Sequence, residues 1–132
     1  MSQMILVLRT DKPEAEIGLF DGSNQVAYET WQAHRQLAET IHKKINGLLT
    51  AQGRTLGDIS GIVVYRGPGS FTGLRIGVSV ANALAYAQDV PIAAATGEDW
   101  IQTGIKELEN APAKRPVVPE YGAPAAVTQP KK

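Results

Sequence analysis

The chain has 132 residues, one domain's worth, and its 43% hydrophobic and 20% charged residues give a globular rather than a disordered balance. Lys plus Arg and Asp plus Glu are 13 each, with 8 against 8 over residues 1–95 and 5 against 5 over 96–132, so no basic face for independent binding to nucleic-acid phosphate is expected. The absence of cysteine excludes a disulfide framework, a thiol nucleophile and cysteine-ligated zinc, and fits a reducing compartment.

Met4 to Leu8 is a short apolar run without alternation, the pattern of a strand buried on both faces. Arg9 and Asp11 end it far short of the ~20 residues that span a bilayer. The first residues lack the layout of a signal peptide, so a cytoplasmic protein with no membrane contact is expected. Glu14 to Phe20 predicts a second strand, Asp21-Gly22 a hairpin turn, and Gln25 to Trp31 a third strand, together an antiparallel meander. A helix is predicted over about 35–52, with Leu37, Ile41, Ile45, Leu48 and Leu49 on one face and Gly53 as its stop. Ile59 to Tyr65 predicts a fourth strand, and a glycine-rich turn leads into a second helix of roughly 70–88, stopped by Asp89 and Pro91. Pro91 to Ala95 predicts a fifth strand and Gly97 to Leu108 a third helix.

Residues 1–110 therefore predict an α/β fold: a mixed five-stranded sheet with flanking helices, the ribonuclease-H-like half-unit that also builds the lobes of actin-like ATPases. Residues 111–132 hold five of the eight prolines and four basic residues against Glu120, and predict an extended C-terminal tail.

Between Gly67 and Gly77, four glycines fall in eleven residues at a strand-to-helix junction. Such a junction offers free backbone N–H groups and the positive end of a helix dipole, so Gly67, Gly69 and Ser70 are a candidate anion-binding loop. The alternative is that Ser70 or Thr72 caps the helix and the glycines make the turn. The loop is neither a P-loop, since no Gly-Lys-Ser/Thr follows, nor a nucleophile elbow, since the G-x-S-x-G spacing is absent. Beyond it, Gly73, Gly77, Ala81 and Ala85 recur every four residues, a ridge without bulk. Glycine in a helix costs about 0.8–1 kcal/mol against alanine, and close packing is the expected offset. Leu74, Ile76, Val78, Val80 and Leu84 make the same helix apolar on more than one side. Either the first helix covers the extra face, or a second molecule does. The predicted interface comprises Leu37 and Ile41 of the first helix with Phe71, Thr72, Gly73, Arg75, Ile76, Gly77, Val80, Ala81, Leu84 and Ala85 of the second.

The run from Arg66 to Gly77 resembles the signature of the TsaB (YeaZ) family of tRNA threonylcarbamoyladenosine biosynthesis proteins. Ile5 to Leu8, Leu48-Leu49, Leu56 to Ile59 and Pro91-Ile92 fall in the order found there, over roughly residues 4–105. Val117 to Tyr121, with Val127-Thr128 beyond, is similar to the family's closing segment. Typical members carry a second lobe between these two parts, so the chain looks like a minimal form. The resemblance implies a non-catalytic accessory subunit that pairs, through a bundle of helices, with TsaD. TsaD transfers a threonylcarbamoyl group to the adenosine beside the anticodon. It also implies TsaE in a larger complex, contact with tRNA only through the partner, and a homodimer through the same surface when alone. Rival expectations are a standalone actin-like nucleotide-binding hydrolase or kinase and a homodimeric scaffold.

The chain departs from actin-like nucleotide binders at Arg9, which stands where an Asp follows the first strand. An Asp there helps organise a hydrated metal on phosphate, whereas an arginine cannot. Asp11 is expected as a turn residue. His34 and His42 lie about 12 Å apart along a helix, too far to share a metal, and no metal or cofactor is expected. Asp11, Glu14 and Glu16 are either acid–base carboxylates or turn and edge-strand residues. Arg66 and Arg75 either bind a partner carboxylate or tRNA phosphate, or cover the surface. Trp31 and Trp100 are expected in the core or its rim.

Overall fold

Strand β1 (Met4–Arg9) is the centre of the molecule because it is apolar at every position from Met4 to Leu8, so both faces must be covered. A computed structural model describes residues 4–69 and 71–109; residues 1–3, Ser70, residues 110–132 (which include the expected tail 111–132) and the side chains of His34 and Phe71 lie outside that description. Strand β1 pairs antiparallel with β2 (Glu14–Asp21), which pairs antiparallel with β3 (Asn24–Gln32). On its other side β1 runs parallel to β4 (Ile59–Tyr65), which runs parallel to β5 (Ile92–Ala95). The order is β3-β2-β1-β4-β5, the mixed five-stranded sheet of the ribonuclease-H-like half-unit.

Among the described residues, three α-helices cover the sheet. Met4, Leu6 and Leu8 point to the face shared by α1 (Leu37–Ala51) and α2 (Phe71–Gln88). Ile5 and Val7 point to the opposite face with α3 (Trp100–Leu108), where Trp100 lies edge-on to Tyr65 with ring centroids 5.9 Å apart. Trp31 is half-buried at the rim, its Nε1 donating to Thr40 Oγ1 at 3.0 Å.

The predicted elements are all present, with small differences at their ends. The first helix begins later than expected because residues 34–36 form a 3₁₀ turn. Its end is a Schellman close: Gly53 has φ +69°, and Arg54 N–H donates to Leu49 O at 2.8 Å. Helix α2 ends likewise at Asp89, φ +57°, with Val90 N–H donating to Ala85 O at 3.0 Å. The third helix starts at Trp100 rather than Gly97, which forms the turn before it. In the outer hairpin the ladder shifts register: Leu19 faces Ala27 but Phe20 faces Gln25, leaving Val26 as a bulge.

Helix α3 lies close on the sheet because Gly104 has no side chain; an added Cβ would run into Val63, which is fully buried. Gly104→Ala is expected to lower stability by roughly 1–3 kcal/mol through overpacking, seen as a lower urea midpoint at unchanged m-value.

Candidate functional site

The expected surface and the candidate loop meet where β1, β4 and α2 converge. Strand β1 ends in Arg9, followed by Thr10 and Asp11, of which Thr10 is 1% and Asp11 9% exposed. Strand β4 ends at Tyr65, and its chain continues through the glycine loop into α2. Gly67 has φ +114°, a conformation that side chains disfavour, and the Gly67–Pro68 peptide is cis.

The polar groups of the two strand ends bond one another and the loop. Thr10 Oγ1 donates to Gly73 O at 2.7 Å, in the first turn of α2. Arg9 Nε donates to Asp11 Oδ1 at 2.8 Å and its second nitrogen to Oδ2 at 3.2 Å, a bidentate pair. The guanidinium lies 3.9 Å from the centre of the Tyr65 ring. Tyr65 O–H donates to Pro68 O at 3.2 Å. The bond to Asp11 holds the Arg9 guanidinium above its ordinary range, against the opposing pull of burial. Asp11 is thus a buried ion-pair partner rather than only a turn residue, and it fills the space beside Gly69, where an added Cβ would meet it.

The three carboxylates of the first turn do not form one group. Asp11 faces Arg9, Glu14 is exposed, and Glu16 Oε1 accepts from the Tyr28 hydroxyl at 2.6 Å. Burial, with that bond, pushes the Tyr28 phenol above its usual range. His42 is exposed on α1. Among the described residues there is no group of three His, Asp or Glu side chains that could hold a metal ion. No helix among them is long and apolar enough to cross a membrane.

The small-residue ridge is where the structure corrects the sequence reading. It faces the chain's own sheet, not a second molecule. Ala81 and Ala85 are buried at 0% and 1% exposure, and Gly77 lies against Thr10, which an added Cβ would strike. The slim side lets α2 approach the end of β1, and Leu84 packs into the same core. Leu37 and Ile41 of α1 are likewise core residues. Seven of the predicted interface positions — Leu37, Ile41, Gly73, Gly77, Ala81, Leu84 and Ala85 — thus serve internal packing or bonding. A helical wheel finds the ridge but not its direction; the pointer that reasoning missed was Thr10, a small polar residue directly after a buried strand.

What remains outward is the other side of α2. Thr72, Arg75 and Ser79 are exposed, Ile76 and Val80 half-buried, and together they line an open depression of about 330 Å³. Further along, Tyr86 is 69% exposed.

The family described as "TsaD: tRNA N6-adenosine threonylcarbamoyltransferase" matches residues 31–119. The tRNA threonylcarbamoyladenosine biosynthesis protein TsaB of Escherichia coli is 34% identical over 89 residues, 67% of this chain and 38% of that one. YeaZ from Pseudomonas aeruginosa superposes with a TM-score of 0.66 at 28% identity, over 71% of this chain and 44% of that one. The chain belongs to the TsaB (YeaZ) family.

The TsaD-like domain is shared with enzymes. The tRNA N6-adenosine threonylcarbamoyltransferase of Geotalea uraniireducens is 48% identical over 61 residues, 46% of this chain and 18% of that one. RuvC from T. thermophilus, solved in complex with a Holliday junction substrate, shares the fold alone, with a TM-score of 0.51 at 12% identity over 90% of this chain and 85% of that one. The chain thus spans less than half the length of the TsaB and YeaZ relatives it matches.

Because Thr10 stands over Gly77, Gly77→Ala is expected to lower the melting temperature by several degrees, about 1–3 kcal/mol of overpacking. Thermal unfolding followed by circular dichroism measures it, and an unchanged midpoint would refute the tight seat of α2.

Proposed function

We propose that this TsaB-family chain is a non-catalytic accessory subunit that binds TsaD and supports threonylcarbamoylation of the adenosine beside the tRNA anticodon. The observation that carries the reading is the outward stripe of α2: Ile76 and Val80, flanked by Thr72, Arg75 and Ser79, around an open depression on a helix whose other side is packed on its own sheet. An apolar centre with a polar rim is the layout of a protein interface. Phe71, the first residue of α2, is kept in the proposed surface from the sequence pattern alone.

The non-catalytic part of the reading is supported by the ends of β1 and β4. The side-chain donors there are engaged internally: Arg9 on Asp11, Thr10 on Gly73 and Tyr65 on Pro68. An arginine paired with Asp11 does not free that carboxylate to organise a hydrated cation on phosphate. A structural role for Gly67 and Gly69 in shaping the turn before α2 is therefore preferred over anion binding, Ser70 lying outside the described residues. TsaE acts within the larger complex, tRNA is met through TsaD, and the site of action is the cytoplasm.

Ser79→Arg and Thr72→Arg test the surface, since both positions are exposed and the changes leave the core alone. Each is expected to weaken capture of TsaD from the same cells by roughly 30-fold or more, the scale of a lost interface hot spot, with the melting temperature of the isolated chain unchanged. Undiminished capture would overturn the reading. Micromolar binding of magnesium-ATP by the isolated chain in a calorimeter would favour the nucleotide-binding rival. A homodimer that persists in sedimentation when TsaD is added would favour the scaffold rival.

A further inference from the structure

Three contacts tie the ends of β1 and β4, residues 9–11 and Tyr65, to the loop and first turns of α2. Tyr65, on whose ring Arg9 lies, donates to Pro68 O. Asp11, gripped by Arg9 through both carboxylate oxygens, fills the space beside Gly69. Thr10 donates to Gly73 O and fits against Gly77. The loop is held at its start by Arg66 N–H, which donates to Ala95 O at 3.1 Å. Each contact meets a different residue of the loop and first turns of α2, and two of them involve partners of the Arg9 guanidinium.

We propose that Arg9, with Asp11 and Tyr65, forms an internal latch that fixes the glycine loop and the first turn of α2, and that Arg9 is thereby a positioning residue for the outward stripe of that helix. The planar guanidinium is the part a simple charge does not replace: one edge forks onto the carboxylate while its face covers the aromatic ring. The carboxylate it holds stands beside the loop that enters the positive end of α2, so the latch also places a negative charge where a helix favours one. A shift of the first turn would carry Thr72, Arg75 and Ile76 with it, because they lie on that turn and the next. The effect on docking rests on the reading of that stripe as the TsaD-binding surface; the effect on the loop does not.

The test uses the full 132-residue chain with Arg9→Ala, Arg9→Lys and Asp11→Asn. Amide hydrogen exchange is followed across the chain, and TsaD binding is measured by titration. Arg9→Ala and Asp11→Asn are expected to raise exchange over residues 66–74 at least tenfold while amides of α1 and β2 change less than threefold. TsaD affinity is expected to fall five- to twentyfold. Arg9→Lys, which keeps the charge without the fork, is expected to fall between, and added ethylguanidinium to restore Arg9→Ala in part. Exchange over 66–74 equal to wild type would overturn the latch. So would a rise shared evenly by the whole sheet, which is only a loss of stability. Faster loop exchange with undiminished TsaD affinity would overturn its role in docking. A wild-type chain that does not bind TsaD overturns the docking reading by itself, and the exchange profile still decides the latch.

Discussion

The seat of α2 on the end of β1 is the contact on which the rest of the molecule depends. It is possible only because Gly77 offers no side chain and Thr10 is small enough to stand there, its hydroxyl donating a hydrogen bond to Gly73 O. That seat brings Ala81 and Ala85 into the core, closes the sheet face that Leu6 and Leu8 present, and leaves Ile76 and Val80 half-buried at the edge of that core. The cost of two glycines in one helix is offset by packing within the chain. The outward stripe is a by-product of which side had to face in.

Much of the fold was legible in the residues. The unbroken apolar run of β1, the Asp21-Gly22 turn, the single apolar face of α1 and the stops at Gly53, Asp89 and Pro91 set the element order and its strand-to-helix crossovers. Helix starts were less legible. The 3₁₀ turn before α1 and the late start of α3 depend on how the chain enters from the sheet, and no local side-chain pattern encodes that. The direction of the glycine–alanine ridge was illegible for the same reason. Periodicity identifies a face, and only the tertiary neighbour says which way it looks. The Arg9–Asp11–Tyr65 cluster joins positions 56 residues apart along the chain, from Arg9 to Tyr65, so spacing alone did not reveal it.

Family membership and the departure at Arg9 fit together in physical terms. A lobe that shares its fold with enzymes and with RuvC need not share their chemistry, because function lies in the site and not in the scaffold. At the strand ends, where open polar groups would meet a ligand, this chain directs them to one another. The depression on α2 lies on the other side of that helix from Gly77 and Ala81.

The bulge at Val26 bears on how such a chain behaves at high concentration. With a formal net charge of zero, it has little long-range repulsion to keep copies apart. Strand β3 is the sheet's outermost antiparallel member and carries neither lysine nor proline. The break at Val26 kinks that border, so a visiting strand finds a short straight stretch instead of nine residues in a line. One irregular step of the backbone thus guards a border that has no lysine or proline to do so.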